Sequence, residues 1–293
     1  MQVKEFVDLA QSWERHLRAS GAKPATIDVY LRAVRMYAAH AGLDAEVSRA
    51  TLVDFLADLT ERSSPATVRV RSRSLTLFCA WLVAEDELPD NPLRDYKPPK
   101  VSTAPVPLLS EDQLTAMLLA AKSESDDFGR RRSEAILRVF LDTGCRLSEV
   151  AGLALADVDL NAETVTVRGK GDRLRRVPVG SRTLAALDRY VRTRRRHRHA
   201  AEAGLWLGIR GPLGDDGVDA VLRRLADRAG VEGFHAHRLR HTFAHRWLAA
   251  GGQERTLMTV AGWSSPAMLA RYGNSLAEQR AMDEAKRLEL GQL

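Results

Sequence analysis

The chain has 293 residues, enough for two modest domains that each bury a core of their own. Its net charge of +6 suits a polyanionic partner, and the excess is uneven: residues 1–88 carry 11 Lys+Arg against 12 Asp+Glu, residues 108–293 carry 30 against 24. Cys79 and Cys145 lie too far apart for a metal-ligand spacing and read as buried thiols. No apolar run reaches membrane-spanning length, and the opening MQVKEFVDLAQSWERH lacks a signal-peptide pattern, so a soluble cytoplasmic protein with no membrane contact is expected.

Val3, Phe6, Val7, Ala10, Trp13 and Leu17 recur at helical spacing and predict a helix over residues 3–19, with Gly21 as its stop. A second helix opens at Pro24 and runs through Ile27, Tyr30, Leu31, Val34 and Tyr37 to Gly42; a third spans roughly residues 51–61. The fourth begins at Ser64-Pro65, an N-cap followed by a proline at the first helical position, and continues through Val68, Leu75, Phe78, Trp81 and Leu82. Residues 1–88 therefore read as a small all-helical bundle. Arg32 and Arg35 share a face of its second helix and Arg69 and Arg73 a face of its fourth, with Arg71 nearby. A solvated charged face is the plain reading of these arginines, and neutralisation of nucleic-acid phosphates is the alternative.

Six of the eleven prolines fall between Pro89 and Pro107, a density that blocks helix and central strand and predicts an extended linker over residues 89–107. Two domains joined in this way would be able to close around a duplex. The second domain, residues 108–293, opens with LLSEDQLTAMLLAA, where Ser110 and Gln113 fit a capping box. A helix over about 131–142 stops at Thr143-Gly144, and Arg146 then begins a short helix with Leu147, Val150 and Leu153 turned inward. Arg146 so sits near a helix N-terminus, a place favourable to an anion, unless it is a surface residue paired with Glu149.

Residues 163–169 (ETVTVRG) and 173–179 (RLRRVPV) alternate as strands across Gly169-Lys170-Gly171-Asp172, a hairpin signal. Lys170 at the tip is one of only 7 lysines among 44 basic residues, and lysine, unlike arginine, can give up its proton. Residues 181–203 read as a helix whose stretch RYVRTRRRHRH holds six arginines and no acid, either a solvated face or a track along phosphates.

Four of the eight histidines, His235, His237, His241 and His245, crowd the stretch HAHRLRHTFAHRW. On a helix, His237, His241 and His245 would stack as metal ligands, but Arg238, Arg240 and Arg246 share those turns and no carboxylate lies nearby to offset a cation. Leu239, Phe243, Trp247 and Leu248 predict a buried apolar stripe on the same helix. The remaining reading is an anion site in which guanidinium groups hold phosphate oxygens and an imidazole moves a proton.

The order Arg146, Lys170, His237-Arg238-Leu239-Arg240, Trp263, Tyr272 resembles the signature of the tyrosine recombinase (phage integrase) family: an Arg, a hairpin Lys, a His-x-x-Arg box, a His or Trp, and a Tyr nucleophile. The resemblance runs from the helical bundle through Tyr272, in the two-domain form without an arm-binding domain. It implies a mainly α fold with a small antiparallel sheet, in which a SAM-like core-binding bundle precedes an α+β catalytic domain. It also implies strand cutting through a 3′-phosphotyrosyl link without metal, nucleotide or other cofactor. Tyr272 would be the nucleophile, His237 the base, Arg146 and Arg240 the phosphate ligands and Lys170 the acid. His241 and Glu149 would support the site, and Arg32, Arg35, Arg69, Arg71 and Arg73 would meet DNA in the major groove. Tyr190 is a rival to Tyr272, whereas Tyr30 and Tyr37 read as bundle core and Tyr96 lies in the linker.

Trp263 stands where many members have His; its indole donates one hydrogen bond but cannot shuttle protons. The partners implied are double-stranded DNA with an inverted-repeat core site, three further copies in a homotetramer on that DNA, and an accessory DNA-bending protein. The tail SLAEQRAMDEAKRLELGQL, with Ala281, Ala285 and Leu288 on one stripe, would dock on a neighbouring copy. The layout resembles Xer-type enzymes that resolve chromosome dimers, but AGWSSPAMLARYG departs from their Gly-His pattern toward integrases of phages and mobile elements, the role favoured. A type IB topoisomerase-like enzyme and a non-catalytic DNA-binding protein are the rival classes.

Overall fold

The computed structural model describes residues 1–100, 107–169 and 173–263, and Lys170, Tyr272 and the tail lie outside the described residues. The chain divides into two units, Met1–Ala104 and Pro105–Leu293. No helix among the described residues is long and apolar enough to cross a membrane.

Unit one holds α1 (Val3–Ala19), α2 (Pro24–Ala41), α3 (Arg49–Arg62) and α4 (Pro65–Ala84). The helical spacing of Val3, Phe6, Ala10 and Trp13 buries all four from α1. They meet an aromatic core in which the Phe6 ring lies edge-on to Tyr37 at 5.6 Å and Trp13 stacks on Tyr30 at 5.7 Å and Phe78 at 4.7 Å. Full burial of a Phe-sized side chain stabilises by roughly 1.5–3 kcal/mol, so this cluster anchors the bundle. Helix α3 starts earlier than the apolar pattern indicates, because Ser48 caps it: its hydroxyl accepts the Thr51 N–H at 3.2 Å and the Thr51 hydroxyl accepts the Ser48 N–H at 3.1 Å.

The first part of the proline-rich stretch packs on this bundle and is not extended there. Leu93 is buried in its core, Asn91 donates to the Thr76 carbonyl at 3.0 Å, and Arg49 donates to the Pro92 carbonyl at 3.0 Å. Proline disfavours a helix interior or a central strand, but it leaves room for a turn that buries one leucine.

Unit two is built around α6 (Asp127–Thr143), with Ala135, Ile136, Leu137, Val139 and Phe140 all buried. Asp126 caps it, its carboxylate accepting the Gly129 N–H at 2.7 Å, so the helix begins a turn before the expected start. Against α6 pack α5 (Glu111–Lys122), α8 (Ser181–Arg194), α9 (Asp215–Arg228) and α10 (Ala236–Ala249). Both bonds of the Ser110–Gln113 capping box form at the start of α5. A three-stranded antiparallel sheet has the order β1 (Val158–Asp159), β2 (Thr164–Arg168), β3 (Leu174–Pro178), with Val165 opposite Val177 and Val167 opposite Arg175. The β2–β3 hairpin falls where strand alternation put it, whereas two-residue β1 is too short to carry a pattern. A second small sheet pairs β4 (Leu207–Gly208) with β5 (Gly211–Pro212). Two short helices, α7 (Leu147–Ala151) and α11 (Glu254–Ala261), and a 3-10 turn over Leu155–Asp157 complete the described elements. The fold is mainly helical with small antiparallel sheets.

Helix α8 ends at Arg194, nine residues short of the expected 203. Arg194 is the reason: 1% exposed, it folds back and donates to the carbonyls of Leu205 at 3.0 Å, Ala200 at 3.0 Å and Gly204 at 2.7 Å. A buried guanidinium needs such acceptors, and a continued helix would have withheld them.

Candidate active site

Helix α6 stops at Gly144, whose left-handed backbone (φ +58°, ψ 22°) turns the chain so that Arg146 becomes the N-cap of five-residue α7. Only glycine fits, since a Cβ there would strike the Phe243 ring of α10. Within α7, Glu149 reaches back and accepts the Arg146 backbone N–H at 2.8 Å and its guanidinium at 2.9 Å. The same carboxylate receives Arg175 from β3 through both terminal nitrogens, at 3.0 and 2.8 Å.

Helix α10 supplies Arg240, 1% exposed, which donates to the Gly144 carbonyl at 2.6 Å and to the Ala261 carbonyl at 2.8 Å. Its guanidinium also lies 5.1 Å from the centre of the Trp263 ring. Arg175 donates to the Val260 carbonyl at 3.0 Å and Arg146 to the Gly262 carbonyl at 3.4 Å. Three guanidinium groups thus bind three consecutive carbonyls, 260, 261 and 262, at the C-terminal end of α11. The last carbonyls of a helix lack intrahelical donors and carry partial negative charge, which allows three like charges to gather there.

Burial by itself would raise the Glu149 carboxyl, but the bonds from Arg175 and from the Arg146 backbone N–H, with the charges of both guanidinium groups, hold it below its usual 4.5. A carboxyl depressed by folding adds stability that is present above about pH 4.5 and lost as pH falls through its lower folded value. Glu149→Gln is therefore expected to flatten the acid limb of a melting-temperature-against-pH curve and to lower the melting temperature at neutral pH, where two guanidinium groups lose their counter-ion. An acid limb unchanged from the native chain would remove Glu149 as its source.

On α10, exposed His237 sits one turn before buried His241, their rings edge to face at 4.5 Å. Trp263, 6% exposed, packs with Phe243, Ala244, Leu248, Leu257 and Ala261. Arg238, in the middle of the His-x-x-Arg box, is turned away to scaffold work: it donates to the carbonyls of Pro107 at 3.0 Å, Glu232 at 2.8 Å and Leu108 at 3.2 Å. Arg146, Glu149, Arg240 and Trp263 thus belong to one junction of α6, α7, α10 and α11, with His237 and His241 on the same helix as Arg240. Arg175 also belongs to this junction, although no motif in the sequence singles it out.

Tyr190 is fully buried, donates to the Leu205 carbonyl at 2.9 Å and accepts the Leu207 N–H at 3.0 Å, and burial pushes its phenol up to about 12. It is a core residue. The arginine run beside it is partly structural: Arg189 meets Glu134 at 3.5 Å, Arg192 meets Asp188 at 2.8 Å, and Arg194 is the buried staple. In unit one, Arg32, Arg35, Arg69 and Arg73 are exposed on α2 and α4. Arg71 is half-buried and ties α4 to α2 through the Val29 carbonyl at 2.9 Å.

Residues 107–279 match the model of the phage integrase family. The chain is 29% identical over 229 residues to the tyrosine recombinase XerC of Actinobacillus pleuropneumoniae, covering 78% of this chain and 74% of that relative. It is 33% identical over 209 residues to XerC of Thermodesulfovibrio yellowstonii, covering 69% of each. Among solved structures, the Tn1549 transposon integrase in complex with transposon right-end DNA matches with a TM-score of 0.78 at 21% identity, over 98% of this chain and 99% of that one.

Proposed function

The chain belongs to the phage integrase family of tyrosine recombinases, site-specific enzymes that cut and rejoin DNA strands, and on that premise we propose how its residues divide the work. The observation that carries the reading is the cluster of Arg146, Arg175 and Arg240 against the single carboxylate Glu149, beside Trp263 and on the helix of His237. Such an excess of guanidinium charge suits a phosphodiester whose charge grows in the transition state.

The Tyr272 hydroxyl attacks the phosphorus, His237 takes the phenolic proton, and the bond to the 5′ oxygen breaks. Lys170 protonates that leaving oxygen, and a 3′-phosphotyrosyl ester remains. A free phenol has a pKa of about 10, so attack near neutrality requires such a base. Arg146 and Arg240 hold the non-bridging oxygens, His241 braces His237, and Trp263 supports Arg240 with its ring. The ester conserves the bond energy, so a second 5′-hydroxyl reverses the step on another strand with no metal or nucleotide. Double-stranded DNA is the substrate, with Arg32, Arg35, Arg69, Arg71 and Arg73 meeting its phosphates.

A DNA duplex nicked just downstream of the cleaved phosphate tests this reading, because the short 5′ product escapes and traps the ester. The expected result is a protein–DNA adduct that survives denaturant and EDTA and maps to the Tyr272 peptide. Adduct formation abolished by EDTA would overturn the metal-free chemistry.

The biological role proposed is integration and excision of a phage or mobile element by four copies on paired inverted-repeat sites. The likeness to XerC relatives favours a second reading, resolution of chromosome dimers. A circular excision product that disappears on deletion of the gene supports the first; chains of unseparated cells support the second. The tail after Ser275 is proposed to dock on a neighbouring copy and close a ring of subunits. A chain ending at Ser275 should bind one site and form the adduct yet recombine two sites at least about tenfold less, since subunit contacts are lost. Recombination at the native rate would reduce the tail to a local cap.

A further inference from the structure

No step above is assigned to Arg175 itself, yet its contacts join β3 to α7 and to the end of α11. It leaves β3 on the inward face, opposite Val167, with its side chain 17% exposed. It grips both Glu149 oxygens and the Val260 carbonyl, and it sits so close under Gly262 that a Cβ there would lie 2.8 Å from the guanidinium carbon. Arg146, the other partner of Glu149, is the more open of the two at 38%.

The consequence is electrostatic. Arg146 and Glu149 alone would form a neutral pair, and an arriving phosphate would compete with a carboxylate for Arg146 and be repelled by it. With Arg175 clasping both oxygens, the carboxylate is neutralised from a second direction and the Arg146 charge is left over. Arg146, Arg175 and Arg240 against Glu149 leave two net positive charges at the end of α11.

We propose that Arg175 is a charge-balancing and positioning residue: by occupying Glu149 through a paired grip, it keeps Arg146 available to the scissile phosphate. The inference rests on the reading of Arg146 as a phosphate ligand. Arg175 also ties β3 to α7 and to the end of α11 through one side chain.

The test is single-turnover adduct formation by the full chain on the nicked substrate, with core-site affinity measured alongside. Arg175→Gln is expected to slow adduct formation about 10²-fold, the order expected for a misplaced reacting group, while affinity changes less than about threefold. Arg175→Lys keeps the charge but loses the fork and should fall about tenfold. The decisive variant is the double one, Arg175→Gln with Glu149→Gln, which restores two net positive charges and removes both members of the ion pair together. It should react about tenfold faster than Arg175→Gln alone, a rescue that lost packing would not permit.

A double variant no faster than Arg175→Gln overturns the proposal, as does native reactivity in Arg175→Gln. Should Arg175→Gln fail to fold, the comparison moves to Glu149→Gln against the double variant. Near-equal rates are expected there, and a further 10²-fold loss would show that Arg175 does not act through Glu149. Absence of any adduct from the native chain would instead strike at the proposed function.

Discussion

Tyr272→Phe is expected to bind a core site as the native chain does and to form no covalent adduct, a fall of roughly 10⁴-fold or more, as for deletion of other enzymic nucleophiles. The phenolic oxygen is the atom that becomes esterified, so neither the arginine cluster nor added base can replace it. None of the four described tyrosines offers a substitute, Tyr96 being packed against the unit-one core. Tyr190 has its hydroxyl locked between the Leu205 carbonyl and the Leu207 N–H, Tyr37 is buried against Phe6 and Phe55, and Tyr30 stacks on Trp13. The measurement is a denaturing gel of protein with labelled nicked substrate. A shifted band that persists in the variant would transfer the nucleophile's role to another side chain.

Much of the fold was legible because it rests on local chemistry. Ser64-Pro65 and Ser110 with Gln113 mark helix starts by hydrogen bonds within a single turn, and the alternation on either side of Gly169 sets the β2–β3 register. The end of α8 was not legible, because Arg194 stops it by seeking carbonyls six to eleven residues further on. Nothing in a run of arginines says which one is buried. In the site, the order of Arg146, His237, Arg240 and Trp263 could be read, but the common anchor of Arg146, Arg175 and Arg240 could not. Carbonyls 260–262 belong to the last turn and C-cap of an eight-residue helix, and backbone acceptors leave no trace in a side-chain pattern. Arg175 did leave one: it shares strand parity with inward-facing Val177, and an arginine at a buried strand position calls for a carboxylate partner.

Arg240 and Arg146 should part company when each is replaced by lysine, although both are assigned to the same phosphate. Arg240 is 1% exposed and spans two backbone carbonyls from elements far apart in sequence, Gly144 after α6 and Ala261 at the end of α11, with its plane near the Trp263 ring. Lysine brings a single ammonium that cannot reproduce this spread, so at least one buried carbonyl loses its donor, at a cost of about 1–3 kcal/mol. Arg146 is 38% exposed, and its weakest bond, 3.4 Å to the Gly262 carbonyl, gives little to the scaffold. Adduct formation should fall about 10²–10³-fold in each variant, the order seen when one donor to a developing oxyanion is removed. Only Arg240→Lys should also melt several degrees lower, by about 2–4 °C per kcal/mol lost for a chain of this size. Equal melting temperatures with unequal rates would mean that Arg240 acts on the phosphate alone. A lower melting point with an unchanged rate would make Arg240 a clasp between α6 and α11 and leave Arg146 as the phosphate ligand of the pair.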